Sequence, residues 1–161
     1  MKFHSPMIIV SDIDKSKQFY VDVMQEEITQ DLGSYVVFKG GFSMMTREKW
    51  TTFTGDAPAS GDHFGHKFEL YFEEDRIDDF WRKLDATPDI AKFTALEEAP
   101  WGQRTFRFLD PDKHVIEVAE SMEAVVTRFL SSGMTVQEAS EKSMMPIAFV
   151  QKCEAERSNA V

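Results

Sequence analysis

Three kinds of side chain in this 161-residue sequence carry the chemistry of a possible site. Glu117 lies inside an apolar run, Val115-Ile116-Glu117-Val118. A carboxylate there must be paired, face a cavity, or sit on a wet face, because an isolated buried charge is too costly. His63 and His66 stand three apart in a polar stretch and read as two solvated loop histidines. Trp101 lies between Pro100 and Gly102, ahead of the last hairpin, where it either stacks on a ligand or caps the core. Trp50 falls in a covering segment and is a lid candidate, whereas Trp81 reads as core. The nine methionines suit core filling or an adaptable pocket. A single cysteine, Cys153, excludes an internal disulfide and a cysteine-rich zinc site.

Glu117 needs a strand to hold it. Residues 104–109 and 114–118 are rich in aromatic and β-branched types and predict two strands. Asp110-Pro111-Asp112-Lys113 between them predicts a tight turn: proline presets φ, and aspartates bond back to nearby amides.

The elements before this hairpin come in a repeated order. Residues 3–10 predict a strand, 14–24 a helix, and 26–31, 35–39 and 42–46 three more strands. Residues 47–65 are polar and rich in Gly, Pro and Thr, and predict a covering loop. Then 67–72 predicts a strand, 77–84 a helix and 91–98 a strand, followed by the hairpin. Ser11-Asp12-Ile13-Asp14 has its counterpart in Asp75-Arg76-Ile77-Asp78, and Gly40 to Met44 in Lys113 to Glu117. Two copies imply two βαβββ modules, over 1–46 and 66–120, rather than a solenoid. The fold class expected is α+β, with a short helical extension over 121–161. Within that extension 122–130, 135–143 and 146–153 predict helices, with a Thr135/Glu138 capping box on the second. Residues 154–161 are expected to be frayed.

Composition narrows the class. Apolar residues make up 42% and charged residues 29%, as in ordinary globular proteins. The 14 phenylalanines predict an aromatic core. A net charge of −10 disfavours nucleic acid and anionic membrane surfaces, both of which need a positive footprint. The N-terminal apolar run is too short for a signal peptide or a membrane span, so a cytoplasmic protein is expected.

Over residues 1–120 the sequence resembles the glyoxalase/bleomycin-resistance/extradiol-dioxygenase group, the vicinal oxygen chelate superfamily. The likeness rests on the paired modules, Asp12-Ile13-Asp14-Lys15-Ser16 with Phe19-Tyr20, and Trp101-Gly102 through Asp110-Pro111-Asp112 to Ile116-Glu117-Val118. The resemblance implies a mixed sheet curled around a cleft, a small-molecule ligand and a homodimer. Metal-dependent members place one ligand on each of four strands, the last being a glutamate on the final strand. Carried over, these positions are Ser5, Met44, Glu69 and Glu117. Serine and methionine are poor ligands for hard or borderline divalent ions. Glu69 and Glu117 remain as the candidate metal ligands and candidate catalytic groups. They do not make a three-ligand catalytic site.

Without a metal, the resemblance implies an inward set of Ser5, Met7 and Ile9 on the first strand, with Glu69, Tyr71, Glu73, Val115, Glu117 and Ala119 in the second module. Ser5, Met7, Met44, Tyr71, Trp101 and Arg104 are the expected ligand-binding residues. Either the two carboxylates perturb one another's protonation, or they pair with Arg104 or Arg107. An acidic, aromatic-lined cavity suits cationic or planar aromatic ligands. The function expected is small-molecule binding without a catalytic metal. The alternatives are a metal-dependent lyase, isomerase or dioxygenase, and a ligand-responsive regulator. The regulator would use the helix-turn-helix-like segment 133–150, whose last helix offers only Gln151 and Lys152 as polar readers.

Overall fold

A computed structural model of the chain describes residues 4–54 and 69–159. His63 and His66 lie outside those residues, as does most of the expected covering loop. The chain divides into two units, one of residues 1–69 with Leu109–Val115 and one of Leu70–Phe108 with Ile116–Val161.

In the first unit the strands are β1 (Met7–Val10), β2 (Ile28–Asp31), β3 (Tyr35–Phe38) and β4 (Ser43–Thr46). Their order across the sheet is β1-β4-β3-β2. β1 runs parallel to β4, with Met7 opposite Ser43 and Ile8 opposite Met44; the other neighbours are antiparallel. A parallel pair needs a crossover, which helix α1 (Ile13–Gln18) and a π-helical turn (Phe19–Val23) begin. Asp12 caps α1, accepting from the N–H groups of Asp14 (3.1 Å) and Lys15 (3.0 Å). Tyr20, wholly buried, then packs its ring 5.4 Å from Phe38 and 5.1 Å from Phe42.

The hairpin tip belongs to this unit. Asp110 Oδ2 accepts from the Tyr20 hydroxyl at 2.9 Å and lies 2.8 Å from His114 Nδ1. Asp110 Oδ1 accepts from the N–H groups of Asp112 and His114 at 2.9 and 2.8 Å. Burial, reinforced by the Asp110 charge, pushes the Tyr20 phenol well above its usual range, so it stays a neutral donor. Asp112 Oδ1 takes the Ser11 N–H and hydroxyl at 2.9 and 2.6 Å. The aspartates expected to shape a turn therefore also anchor it.

The second unit repeats the order as β5-β8-β7-β6. Its strands are β5 (Glu69–Glu73), β6 (Glu97–Glu98), β7 (Arg104–Leu109) and β8 (Val115–Ala119). Helix α3 (Ile77–Ala86) buries Ile77, Phe80 and Leu84, with Phe80 6.1 Å and Trp81 4.9 Å from the Phe106 ring. Arg76 stands at the N-cap where the first module has Asp12, and lacks an acceptor to cap with.

Three expectations are corrected. Residues 47–54 form helix α2 (Arg47–Thr54), not a loop; Thr46 Oγ1 accepts the Lys49 N–H at 3.3 Å and starts it. Trp50 therefore sits on a helix. The strand expected over 91–98 shrinks to Glu97–Glu98 plus a single bridge, Lys92 to Phe108. Phe93 and Thr94 both donate to the Arg107 carbonyl, and Thr94 Oγ1 takes the Arg107 N–H at 2.8 Å, so a regular ladder cannot continue. The expected frayed tail is helical as far as Asn159.

Three helices close the chain: α4 (Met122–Ser131), α5 (Val136–Ser143) and α6 (Ile147–Asn159). Thr135 and Glu138 form the expected capping box. Val125, Val126, Phe129, Leu130, Ala139, Val150 and Cys153 make a separate apolar core. Among the described residues, no helix is long and apolar enough to cross a membrane.

Candidate functional site

Glu117 is the starting point. Every residue of β8 is buried, Glu117 included. On β7, Phe106 and Phe108 are wholly buried, their rings on the side of Phe80 of α3, so Thr105 and Arg107 point to the opposite face. Glu117 shares that face. Its Oε1 accepts from the Thr105 hydroxyl at 2.7 Å, and its Oε2 lies 2.8 Å from an Arg107 nitrogen. Of the resolutions open in the sequence, pairing is the one adopted, with Arg107 as partner.

Gln103 precedes Thr105 by two positions and falls on the same face. Its side chain joins two aromatic residues. Gln103 Oε1 accepts the Trp101 indole N–H at 3.0 Å, and Nε2 donates to the Tyr71 hydroxyl at 3.0 Å and to the Glu120 carbonyl at 2.7 Å. The Tyr71 hydroxyl donates onward to Glu73 Oε1 at 3.3 Å. Gln103 is 9% exposed, whereas Tyr71 is 48% and Trp101 37% exposed. A buried amide thus fixes two rings that solvent still reaches. Burial pushes the Tyr71 phenol up and the Glu73 and Glu117 charges add to this, while the Gln103 bond opposes it. Tyr71 is therefore a neutral hydrogen-bonding ring near neutral pH, not a base.

The other expected residues separate by face. Glu69, exposed, alternates with buried Leu70 and so lies on the Tyr71 side of β5. Glu97 is paired with Thr105 across the β6–β7 ladder and shares the Glu117 face. In the first sheet, Ser5 and Met7 are half-buried and alternate with buried Ile8 and Val10. Met44 pairs with Ile8 and Val36, is wholly buried, and lies on the side packed by Tyr20. The Ser5 and Met7 side of β4 belongs to Ser43 and Met45. The Gly40–Met44 alignment with Lys113–Glu117 is one residue out of register, and one residue reverses a side chain. Arg104 lies apart from the Glu117 face. It shares the Phe106 side of β7, where it pairs with Asp78 of α3 at 2.7 Å and with Glu120 at 2.7 Å. Those partners, the Glu120 hydrogen bond first and against the opposing effect of burial, raise its pKa above the ordinary arginine value.

Gln103 was missed by the sequence reading. The signal was its parity: it lies two residues before Thr105 and four before Arg107 on one strand edge.

The residues do not fit the metal that the fold family implies. Both Glu117 oxygens are engaged, one by a guanidinium, and Met44 faces the other way. Among the described residues no three His, Cys, Asp or Glu side chains are grouped to hold an ion. What the arrangement offers is two supported aromatic faces beside carboxylates.

Comparison with known proteins supports the architecture. The glyoxalase-like domain family matches residues 3–123. A solved structure of a protein of unknown function from Agrobacterium tumefaciens is 37% identical, with a TM-score of 0.67, covering 75% of this chain and 94% of that one. A lactoylglutathione lyase from Agrobacterium tumefaciens is 21% identical, with a TM-score of 0.57, covering 75% and 95%. A glyoxalase/bleomycin resistance protein/dioxygenase from Nocardioides is 16% identical, with a TM-score of 0.58, covering 74% and 83%. The last two show likeness of fold alone. No curated protein matches the chain. With its two four-stranded mixed sheets and a family match over most of its length, the chain belongs to the glyoxalase-like family.

Proposed function

We propose that the protein binds a small planar aromatic molecule carrying positive charge, on the face of its second sheet opposite α3, without a catalytic metal. The observation that carries this reading is the hydrogen-bonded chain Trp101–Gln103–Tyr71–Glu73, which holds two solvent-reached rings in place. Fixing the rings beforehand lowers the entropic cost of stacking a ligand on them. Glu73, Glu97 and Glu117 share this face with Arg107, so the local charge is negative and favours a cation. The domain extends over 1–120 with the helices of 121–161 as an appendage, and we expect a cytoplasmic homodimer.

The test is a thermal-shift screen of planar aromatic cations, acridine orange among them, against neutral and anionic analogues. A ligand at a hundred times its Kd should stabilise the fold by about 2.7 kcal/mol. Trp101→Ala and Tyr71→Ala should each abolish the shift. A broad panel that stabilises nothing, or stabilisation that survives both substitutions, would overturn the reading. Nickel, zinc, manganese and iron(II), added singly to protein purified without chelators, should leave the melting temperature unchanged.

A further inference from the structure

We propose that the C-terminal helices are a brace for the ligand platform, and that Arg128 and Phe129 of α4 are its positioning residues. The inference rests on the reading of Trp101 and Tyr71 as that platform. All the residues involved belong to one unit.

Trp101 stands in a turn closed by two backbone bonds, Gly102 N–H to Ala99 O and Ala99 N–H to Gln103 O, both 2.8 Å. Gly102 has φ of +87°, and a Cβ built on it would lie 2.1 Å from Phe129 Cζ. The tip of the Phe129 ring therefore rests directly on the backbone next to Trp101. The rest of that ring belongs to the apolar core of the three helices. Arg128 donates to the Gly102 carbonyl, reaches Glu120 Oε2 at 2.9 Å, and reaches Glu98 Oε2 at 3.4 Å. Glu120 is 2% exposed and also holds Arg104, while its carbonyl holds the Gln103 amide. Helix α4 thus grips Gly102, and the residue just before that helix's N-cap grips Gln103. These are the two positions that follow Trp101.

Lys142 of α5 lies 4.4 Å from the Phe129 ring centroid, which ties the second helix to the same contact. The family match ends at residue 123, so Arg128, Phe129 and Lys142 lie beyond it, whereas Glu120 lies within it. An appendage that only added stability would act on the second unit generally. This one meets the turn that carries an exposed ring of the proposed site.

The experiment compares two single-tryptophan proteins, one retaining Trp101 and one retaining Trp81, the other tryptophans being changed to phenylalanine. Arg128→Ala is introduced into each, and acrylamide quenching and emission maximum are read under folding conditions. The brace predicts that Trp101 is quenched more strongly and its emission moves, while Trp81, packed on Phe106, does not change. In the protein with all three tryptophans, Arg128→Ala should weaken acridine orange binding about tenfold, or about 1.4 kcal/mol. Should Arg128→Ala fail to fold, Arg128→Gln makes the same comparison. Unaltered Trp101 quenching, or equal changes at Trp101 and Trp81, would overturn the proposal. If acridine orange does not bind the unsubstituted protein, a cation of the panel that does takes its place; if none of the panel binds, the functional reading fails, and the quenching comparison still decides the brace.

Discussion

At the scale of single residues, the behaviour of Glu117 is set by its partners. A glutamate in an apolar strand is tolerated because a hydroxyl and a guanidinium replace the water it loses. Glu117→Gln keeps the Thr105 bond and removes the charge facing Arg107. The expected cost is about 1–2 kcal/mol, discounted because Arg107 is partly solvated. Urea denaturation measures it, and a variant as stable as the parent would show that the pair contributes nothing. Two glycines give a sharper contrast. Gly102→Ala brings a methyl into the Phe129 ring at a left-handed backbone position, for which about 2–4 kcal/mol is expected. Gly133 has φ of +94° with nothing within 4 Å of a Cβ, so Gly133→Ala should cost about 1 kcal/mol. Equal costs at the two sites would mean that the contact with Phe129 is not tight.

At the scale of elements, Glu120 links the end of β8 to β7 and α4 through Arg104 and Arg128. Burial raises its pKa, but the Arg104 and Arg128 contacts outweigh burial and hold it below the usual carboxylate range. A group whose pKa is depressed on folding stabilises the native state above its unfolded value and loses that contribution as pH falls through the folded one. Stability from Glu120 should therefore be complete above about pH 4.5 and decline below it. Glu120→Gln should lower the urea midpoint at pH 7 and flatten its fall in acid. An unchanged slope below pH 4.5 would place the acid sensitivity elsewhere. The helices themselves show how local signals and tertiary ones divide. The Thr135–Glu138 capping box involves residues three apart and could be read directly from the sequence. The break in the 91–98 segment could not, because it follows from which Arg107 groups Thr94 meets.

At the scale of the whole molecule, charge is the simplest determinant. Net charge is −10, and α6 offers only Gln151 and Lys152 at the positions expected to read bases. A gel-shift assay with duplex DNA at low salt should show no retention, because counterion release needs a cationic surface. A shifted band would bring the regulator reading forward.

The sequence by itself determined the two-module order, the helix entry at Asp12, the hairpin around Asp110-Pro111-Asp112 and the Thr135 capping box. Each is written in side-chain periodicity or in turn and cap chemistry a few residues long. It also marked Glu117 as a residue that must be satisfied. Only the tertiary structure decided how. The face of Met44 depended on a register that a one-residue error inverts. The face of Arg104 depended on Asp78 and Glu120, 26 and 16 positions away. The Gln103 link between Trp101 and Tyr71, and the grip of α4 on Gly102, join residues about 30 positions apart. Parity puts Gln103 on the Thr105 face, but the partners met in these contacts leave no trace in the chain, because they are fixed by packing across elements rather than by the conformation within one.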